Sequence, residues 1–314
     1  MCGIAASFAY GTRSTDPAGV RRACDHMARR GPDGEGLWVA PEGRVVLGHR
    51  RLAIIDLSED GAQPMAVGEG GPVVTFNGEI YNYEALRRGL EERGHRFRSA
   101  SDTEVLLRLY QEKGPAFVED LRGMFALALW DPERAGLLLA RDPYGIKPLY
   151  VADDGRTLRL ASQVKALLAM GGIDTSPDPA GHAGFFLFGH VPEPYTLYRG
   201  IRSLPAGHTL WVDANGVGEP APYQTVSEAL REAEATAPDV PPGDLDAAVR
   251  EALLDSVRHH LVADVDVGVF LSAGRDSTTL AALAAEVGGR LQTVTLGFEA
   301  YRGTADDEVP LAEA

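Results

Sequence analysis

The sequence predicts an α/β protein in two parts, and three of its features lead to this prediction. Between residues 3 and 212, short β-like runs alternate with amphipathic helices. Residues 213–243 are rich in proline, alanine, glutamate and glycine, which is typical of a connector. The order of elements after residue 244 contains one βαβ unit, and 314 residues exceed what one hydrophobic core usually serves. We therefore expect a first domain at 1–212, a linker at 213–243 and part of a second domain at 244–314.

The individual elements are predicted from hydrophobic periodicity and from capping residues. Strands are expected at residues 3–8, 45–49, 73–76, 125–130, 136–140 and 158–161. Helices are expected at residues 17–29, 83–93, 103–112 and 164–170. In the second part, a helix at 245–261 precedes the βαβ unit, whose strands are expected at 265–271 and 291–296 and whose helix is expected at 278–287. Such a unit belongs in a parallel sheet that is covered on both faces.

Composition excludes several classes of function. The chain has 45 acidic and 30 basic residues, and its formal net charge of -15 repels a nucleic-acid backbone. Two cysteines cannot build a multiply bridged disulfide framework, and no stretch approaches the ~20 apolar residues of a membrane span. The eight histidines have no metal-ligand spacing. We expect a cytoplasmic protein without zinc and without a nucleic-acid or membrane partner.

Cys2 is the candidate nucleophile. Removal of Met1 would expose a thiol and a free α-amino group on the same residue. Such an amine has an ordinary pKa of about 7.7–8.0, so it can accept the thiol proton near neutral pH, directly or through water. Taken alone, a cysteine at position two is more often an accidental, buried or disordered residue, so the interpretation depends on the motifs around it. The other cysteine, Cys24, is expected to be a small buried residue of a helix.

Six short runs accompany the candidate nucleophile. They are MCGI at residue 1, RGPD at 30, GHRRLAIID at 48, NGEIYN at 77, SDTE at 101 and RDPYGIKPLY at 141. In content and order these runs resemble the class II glutamine amidotransferases, and most closely the glutamine-hydrolysing asparagine synthetases. The resemblance covers nearly all of residues 1–212. It implies an N-terminal-nucleophile hydrolase fold, in which a four-layer αββα glutaminase domain is followed by the first βαβ unit of a nucleotide-binding parallel sheet.

The same resemblance implies a glutamine site. Attack of a thiolate on an amide creates an oxyanion, which needs preorganised donors. The Asn77 side chain and the Gly78 N–H are expected to supply them at the end of a strand, where glycine allows close approach and unusual backbone angles. Arg51 is expected at the glutamine carboxylate, and Asp102, with Glu79 nearby, at the ammonium. The implied catalytic residues are Cys2, Asn77 and Gly78, and the implied glutamine-binding residues are Arg51, Leu52, Ile54, Ile55, Asn77, Gly78, Glu79 and Asp102.

Two of these assignments have alternatives in the sequence itself. Asn77-Gly78 is also the strongest short signal for a hairpin turn. Arg50 stands beside Arg51, and the Arg-Leu-x-Ile register of the resembled family selects Arg51. No cofactor is implied for this first domain.

A further motif, SAGRDS at residue 272, lies between a predicted strand and a predicted helix. Backbone N–H groups at such a turn can bind an anion, although a plain strand-to-helix connection is equally consistent. The run resembles the pyrophosphate loop of ATP-dependent synthetases that form acyl-adenylates. The resemblance implies ATP and magnesium as cofactors. It places Ser272, Gly274, Asp276 and Ser277 at the pyrophosphate or its magnesium, with Asp276 as the metal ligand, and Phe270 and Leu296 at the adenine.

Three positions depart from the pattern of the resembled family. Ala273 replaces the first glycine of Ser-Gly-Gly, which costs roughly 1–2 kcal/mol if this position needs φ > 0. Arg275 replaces an aliphatic residue and could reach a phosphate or a carboxylate. Gln163 stands where the family commonly has glutamate, which affects any contact there that depends on charge.

We interpret the chain as a glutamine amidotransferase of the asparagine synthase type, which releases ammonia for ATP-dependent amidation of a carboxylate. Aspartate is the expected acceptor, and a homodimer is compatible with this interpretation. Residues 304–314 resemble only the opening of the family's next helix, so we expect glutamine hydrolysis uncoupled from synthesis. One alternative is an adenylating cyclase or amide synthetase of the β-lactam synthetase type with a silent glutaminase domain. Another is a non-catalytic, truncated partner protein.

Overall fold

The computed structural model describes residues 1–236, 241–288, 291–304 and 306–313. The chain forms two compact units, Met1–Ala235 and Thr236–Ala314. The first unit therefore continues past residue 212, where the sequence predicts its end.

The strands of the first unit are β1 (Gly3–Ala9), β2 (Gly34–Val39), β3 (Val45–Arg51), β4 (Met65–Ala66), β5 (Val73–Ile80), β6 (Gly123–Asp131), β7 (Gly136–Arg141), β8 (Tyr150–Asp153), β9 (Thr157–Ala161), β10 (Arg202–Ser203), β11 (His208–Asp213), β12 (Gly216–Val217) and β13 (Ala221–Pro222). The helices that accompany them are α1 (Pro17–His26), α2 (Tyr83–Glu92), α3 (Asp102–Lys113), α4 (Val164–Met170), α5 (Pro179–Phe188) and α6 (Val226–Thr236). The second part of the chain contains α7 (Leu245–His260), β14 (Gly268–Phe270), α8 (Arg275–Gly288), β15 (Gln292–Val294) and α9 (Val309–Glu313).

Two antiparallel sheets form the centre of the first unit. Among the described residues, the first sheet has six strands in the order β10-β8-β9-β1-β3-β2. The described strands of the second sheet follow the order β12-β11-β7-β6-β5-β4, and β13 also pairs with β11. The longest pairing joins β5 to β6, from Val73 opposite Trp130 to Ile80 opposite Gly123.

The two sheets pack face to face through a common apolar core, and helices cover their outer faces. Inner-face residues of this core include Ile4, Phe8, Leu47 and Leu160 of the first sheet and Ala128, Trp130, Leu137 and Leu139 of the second. The outer core of the first sheet is closed by Val20, Ala23, Ala166 and Leu167 of α1 and α4. The outer core of the second sheet is closed by Leu90, Leu106, Leu107 and Leu109 of α2 and α3. The layer order α, β, β, α confirms the predicted fold of this unit.

The strand predicted at residues 73–76 is longer than expected. In the structure β5 continues to Ile80, so Asn77 and Gly78 lie inside the strand, opposite Ala126 and Phe125 of β6. The alternative of a hairpin turn at Asn77-Gly78 is therefore wrong, and so is the expected location at a strand end. The ladder with β6 extends the strand through a dipeptide that favours a turn when it is considered alone.

Several elements have no counterpart among the predicted ones. Strands β2, β8 and β11 are absent from the prediction, as is helix α5. Helix α5 is apolar on all sides, with Phe185, Phe186, Leu187 and Phe188 exposed, and so its sequence lacks the helical periodicity on which the prediction depends. The helix predicted at 17–29 ends at His26.

The segment predicted as a linker contains regular structure. Strands β12 and β13 both pair with β11, and the Tyr223 hydroxyl donates to the Arg141 carbonyl at 2.9 Å. These contacts join residues 216–223 to the second sheet, and α6 follows them. The predicted boundary at 212 thus falls inside the first unit, while residues 237–240 of the predicted linker lie outside the described residues.

The second unit contains the expected βαβ order. Strands β14 and β15 are parallel, with Val269 opposite Thr293, and α8 lies between them in the sequence. Both strands are shorter than the predicted runs. A small core joins α7 to α8 through Leu254, Val257, Leu283 and Ala284.

The core between the sheets provides a stability test. Leu160 is fully buried between the sheets, whereas Leu230 on α6 is 65% exposed. Leu160→Ala should lower the free energy of unfolding of the first unit by about 2–5 kcal/mol, because it removes buried methyl groups and leaves a cavity. Leu230→Ala should change it by less than about 0.5 kcal/mol. Urea unfolding of both variants measures the difference, and equal losses would contradict the layer assignment.

Candidate functional site

One cavity of the first unit collects residues from separate segments of the chain. It encloses about 450 Å³, including solvent at its mouth. The chain start before β1, the end of β3, the strand β5, the start of α3 and the turn after β7 form its walls. The predicted site residues that line it are Cys2, Arg51, Leu52, Ile54, Ile55, Asn77, Gly78, Glu79 and Asp102. Lining residues for which the sequence predicts no role include Gly61, Gln63, Thr103 and Lys147.

The Cys2 thiol is held at the entrance to β1. Its Sγ accepts a hydrogen bond from the Leu52 N–H at 3.3 Å and lies 3.5 Å from the Leu52 carbonyl. The Arg30 guanidinium donates from Nε to the Cys2 carbonyl at 2.9 Å. Burial raises the pKa of the thiol, which the Leu52 N–H and nearby positive charge oppose. The Leu52 N–H therefore holds the Cys2 side chain, and Arg30 holds the Cys2 backbone.

Asn77 presents an unsatisfied amide to this cavity. The residue is 0% exposed, and neither its Oδ1 nor its Nδ2 has a hydrogen-bond partner within the part of the chain that the structure describes. A buried amide without partners costs about 1–3 kcal/mol. A ligand oxygen in the cavity would satisfy the Nδ2 donor, so this side chain is suited to bind a polar substrate.

Gly78 packs so closely against the neighbouring strand β6 that a side chain would not fit there. A Cβ atom at this position would lie 2.3 Å from the Met124 carbonyl oxygen and 2.8 Å from the Phe125 Cα. The glycine is therefore needed for packing against β6, which is a different contact from the close approach to the oxyanion that the sequence predicts. Gly78 is absent from the residues with positive φ, so unusual backbone angles do not account for it.

A chain of hydrogen bonds holds the strand at Phe76, the residue before Asn77. The Phe76 N–H donates to Gln63 Oε1 at 2.7 Å, and Gln63 Nε2 donates to Thr103 Oγ1 at 3.2 Å. His49 Nε2 lies 3.1 Å from the Phe76 carbonyl. Burial lowers the pKa of His49 to about 4, so the imidazole is neutral near pH 7 and its Nε2 carries the proton that it donates.

Two carboxylates stand on one wall of the cavity. Asp102 is the first residue of α3, whose N-cap is Ser101, and it accepts from the Ile80 N–H at 3.0 Å. Burial raises the pKa of Asp102 to about 7, and the nearby Glu79 acts in the same direction. Asp102 therefore changes its charge close to neutral pH.

The adjacent residues Arg50 and Arg51 have different surroundings in the structure. Arg51 lines the cavity, and its guanidinium donates to the Ser58 carbonyl at 2.7 Å and to the Asp56 carbonyl. Arg50 forms ion pairs with Asp25 and Glu35, both at 2.7 Å. Successive side chains of a strand point to opposite faces, which explains why the neighbours differ.

Lys147 is a cavity residue that sequence reasoning did not assign. It belongs to the RDPYGIKPLY run, and the structure leaves it only 4% exposed. Burial lowers its pKa, while Glu79 and Cys2 raise it. Its position between Ile146 and Pro148 is only weak evidence of burial, because the sequence alone cannot distinguish a buried lysine from a surface one.

The predicted phosphate loop joins β14 to α8. The Ser272 and Ser277 hydroxyls lie 3.1 Å apart, and Ser277 Oγ donates to the Gly274 carbonyl at 3.1 Å. Ala273 has a φ of 56°. The missing glycine thus falls at a position with positive φ, where the roughly 1–2 kcal/mol cost expected for alanine applies.

Other predicted nucleotide residues surround this loop. Asp276 and Ser277 lie in the first turn of α8, whose first N–H groups are suited to an anion. Phe270 is 81% exposed and Leu296 is 70% exposed. Within the described ranges, no group of three or more histidine, cysteine, aspartate or glutamate residues could hold a metal ion. Within those ranges Asp276 therefore belongs to no group of three or more such residues.

Gln163, the third position that departs from the family pattern, is the N-cap residue of α4 in the first unit. Its Oε1 is buried without a hydrogen-bond partner among the described residues. Arg275 is exposed at the start of α8.

Among the described residues, no helix is both long and apolar enough to cross a bilayer.

Comparison with known proteins agrees with the sequence resemblance. Asparagine synthetase [glutamine-hydrolyzing] 3 of Bacillus subtilis is 36% identical over 91% of this chain and 45% of its own length. Asparagine synthetase B [glutamine-hydrolyzing] of Escherichia coli is 35% identical over 92% of this chain and 46% of its own length. The chain thus spans about half the length of these relatives.

A solved structure shows the fold. Glutamine phosphoribosylpyrophosphate amidotransferase from B. subtilis superposes with a TM-score of 0.55 at 18% identity, covering 94% of this chain and 65% of that one. Residues 1–224 match the glutamine amidotransferase domain family, and residues 248–314 match the asparagine synthase family. The chain therefore belongs to the glutamine amidotransferase domain family and continues into part of an asparagine synthase domain, as the sequence motifs predict.

Proposed function

We propose that the first unit hydrolyses glutamine at Cys2, and that the complete protein uses the released ammonia to amidate a carboxylate activated by ATP. The observation that carries this proposal is the unsatisfied Asn77 amide in the same cavity as the Cys2 thiol. A buried donor without a partner, beside a nucleophile, is what the oxyanion of acyl transfer requires. Family membership supports glutamine as the amide that is cleaved.

The nucleophile in this mechanism is Cys2 after removal of Met1. The new α-amino group takes the thiol proton, directly or through water, and the thiolate attacks the glutamine side-chain carbonyl. The Asn77 amide and the Gly78 N–H stabilise the resulting oxyanion. The amine returns the proton to the leaving nitrogen, so that ammonia departs and a thioester forms. Water then hydrolyses the thioester to glutamate and restores the thiol.

Charged side chains select glutamine over other amides. The Arg51 guanidinium pairs with the α-carboxylate, and its contacts to two backbone carbonyls hold it in place. Asp102 and Glu79 pair with the α-ammonium. Leu52, Ile54 and Ile55 line the same cavity. Opposite charges at fixed positions bind both ends of a zwitterionic amino acid in one orientation.

The second unit is proposed to bind ATP in the complete protein. The Ser272 and Ser277 hydroxyls, Gly274 and the start of α8 suit the pyrophosphate. Magnesium is commonly bound through one or two carboxylates together with substrate phosphates, so Asp276 alone is a sufficient protein ligand. ATP would supply adenylation of the acceptor carboxylate, and Phe270 and Leu296 would flank its adenine.

Aspartate is the acceptor we propose, on the strength of the named relatives. We also propose a cytoplasmic location, since Cys2 and Cys24 are both free thiols and the mechanism needs the first of them reduced. The expected homodimer stays a prediction.

The oxyanion assignment predicts a change in rate rather than in binding. Asn77→Ala should lower kcat for glutamate release by about 10²- to 10³-fold and change KM only a few-fold, because the amide acts mainly in the transition state. Asn215→Ala, at an exposed turn, is the matched control and should leave both constants unchanged. A variant in which only KM rises would show that Asn77 binds the ground state.

The carboxylate assignment predicts a pH dependence. The pKa of Asp102 is raised to about 7, so the side chain is neutral below that pH and negative above it. KM for glutamine should therefore rise as the pH falls through about 7. Asp102→Asn should have a high KM that is flat over the same range, whereas the exposed Asp246→Asn should behave like the parent. An unchanged pH profile of KM in Asp102→Asn would remove Asp102 from ammonium binding.

The expected uncoupling is tested by following glutamate and AMP in one preparation of the 314-residue chain, with ATP, magnesium and aspartate supplied. Glutamate should form without matching AMP, because Phe270 and Leu296 are exposed and Ala273 strains the loop. Intact mass should show that Met1 is absent. Glutamine- and aspartate-dependent AMP formation would contradict the expected uncoupling.

The same assay identifies the nucleophile. Cys2→Ala should abolish glutamate release while the circular dichroism spectrum stays that of the parent. Cys24→Ala should retain activity, because Cys24 is buried in the outer core of the first sheet and away from the cavity lining. Equal loss in both variants would point to structural damage, and no hydrolysis in the parent chain would favour a silent glutaminase domain or a non-catalytic partner.

A further inference from the structure

Lys147 is a buried cation that the proposed reaction leaves without a task. It lines the glutamine cavity and is 4% exposed. In the proposed function Arg51 already matches the single carboxylate of the substrate. Placing a second basic group in the site costs desolvation, so its presence there requires a separate explanation.

The backbone of Lys147 is fixed from both sides. Its N–H donates to Asp142 Oδ2 at 3.0 Å, and its carbonyl accepts from Arg141 Nε at 2.9 Å. Asp142 is fully buried, and Oδ2 also accepts from the Phe125 N–H at 3.2 Å. Arg141 is held in turn by the Glu193 carboxylate at 2.8 Å. These contacts tie the turn that carries Lys147 to β6 and β7, beside the cavity wall.

The charged groups that face Lys147 come from four segments. They are Cys2 and the terminal amino group before β1, Arg30 after α1, Glu79 on β5 and Asp142 after β7. Cys2 is also influenced by Asp102 at the start of α3. Lys147 thus shares one cavity with the Cys2 thiol and the Glu79 carboxylate, and Glu79 helps it to remain charged despite its burial.

The chemistry of Cys2 needs such a cation. Burial disfavours the thiolate, whereas the reaction needs an α-amino group that is unprotonated before it takes the thiol proton, and a thiolate once that proton has moved. A fixed positive charge nearby favours both forms, because it attracts the thiolate and repels an ammonium. We propose that Lys147 supplies the positive charge that stabilises the Cys2 thiolate and favours the unprotonated α-amino group that accepts the thiol proton. This inference rests on the proposed function and adds a positioning residue to it.

The test measures the Cys2 thiolate directly. The full chain is alkylated with iodoacetamide across a pH series, and the Cys2 peptide is quantified by mass spectrometry, separately from that of buried Cys24. In Lys147→Gln the pH of half-maximal alkylation rate should rise by about one pH unit, because removal of a nearby cation raises the pKa of the thiol. Lys147→Arg should stay close to the parent. Lys165→Gln removes the same charge from an exposed position on α4 and should change nothing.

Kinetics on the same variants distinguish the possible roles. The acid limb of kcat/KM should move upward with the alkylation profile in Lys147→Gln and return in Lys147→Arg. If Lys147→Gln is poorly folded, Lys147→Met gives the same comparison with an apolar side chain of similar length.

An unshifted alkylation profile in a folded neutral variant would overturn the inference, and so would a shift in Lys147→Arg equal to that in Lys147→Gln. A rise in KM with an unshifted profile would assign Lys147 to substrate binding instead, which also overturns it. Absence of glutaminase activity in the parent, with the alkylation shift intact, would reject the proposed function and leave the electrostatic role standing.

Discussion

The packing of the two antiparallel sheets against each other is the constraint on which the rest of the first unit depends. The nucleophile enters from the first sheet, through β1, and the unsatisfied amide of Asn77 comes from the second, through β5. No local sequence interaction joins these two strands. The shared core, to which Ile4, Leu160, Trp130 and Leu137 belong, and the hydrogen bond from His49 to the Phe76 carbonyl bring them to one cavity. Burial of apolar area provides most of the free energy that holds this arrangement.

The same burial creates the chemical problem of the site. Desolvation favours the neutral forms of Cys2, Asp102 and Lys147, so it raises the pKa of Cys2 and Asp102 and lowers that of Lys147. For His49 this shift serves the structure, since a neutral imidazole can donate to the strand that carries Asn77. For the thiol the shift opposes reactivity. Hydrogen bonds and neighbouring charges must then restore the ionised forms that the chemistry uses.

The two units differ in how completely they bury their motifs. In the first unit, the residues proposed for glutamine meet in a cavity and are held by hydrogen bonds from several segments. The loop of the second unit also has internal hydrogen bonds, but Phe270 and Leu296 remain exposed beside it. Its alanine at positive φ stores strain that a glycine would avoid.

Much of the fold and of the glutamine site could be predicted from the sequence. Strong periodicity located strands such as β1 and β6, and ordered motifs identified the family and the residues that line the cavity. Prediction was weaker where long-range contacts override local preference. Asn77-Gly78 favours a turn by itself, yet pairing with β6 extends the strand through it. Residues 216–223 have the composition of a linker, yet they join the second sheet through β11.

The sequence by itself determined which side chains are available for chemistry, because residue identity sets each donor, acceptor and charge. The motifs alone are enough to identify Cys2, Arg51, Asn77 and Asp102 as candidates. Tertiary structure alone decided why Gly78 admits no Cβ, and that Lys147 is buried in the same cavity as the thiol. These outcomes depend on distances between segments far apart in the chain, and such distances are set by the packing of the whole unit rather than by local sequence.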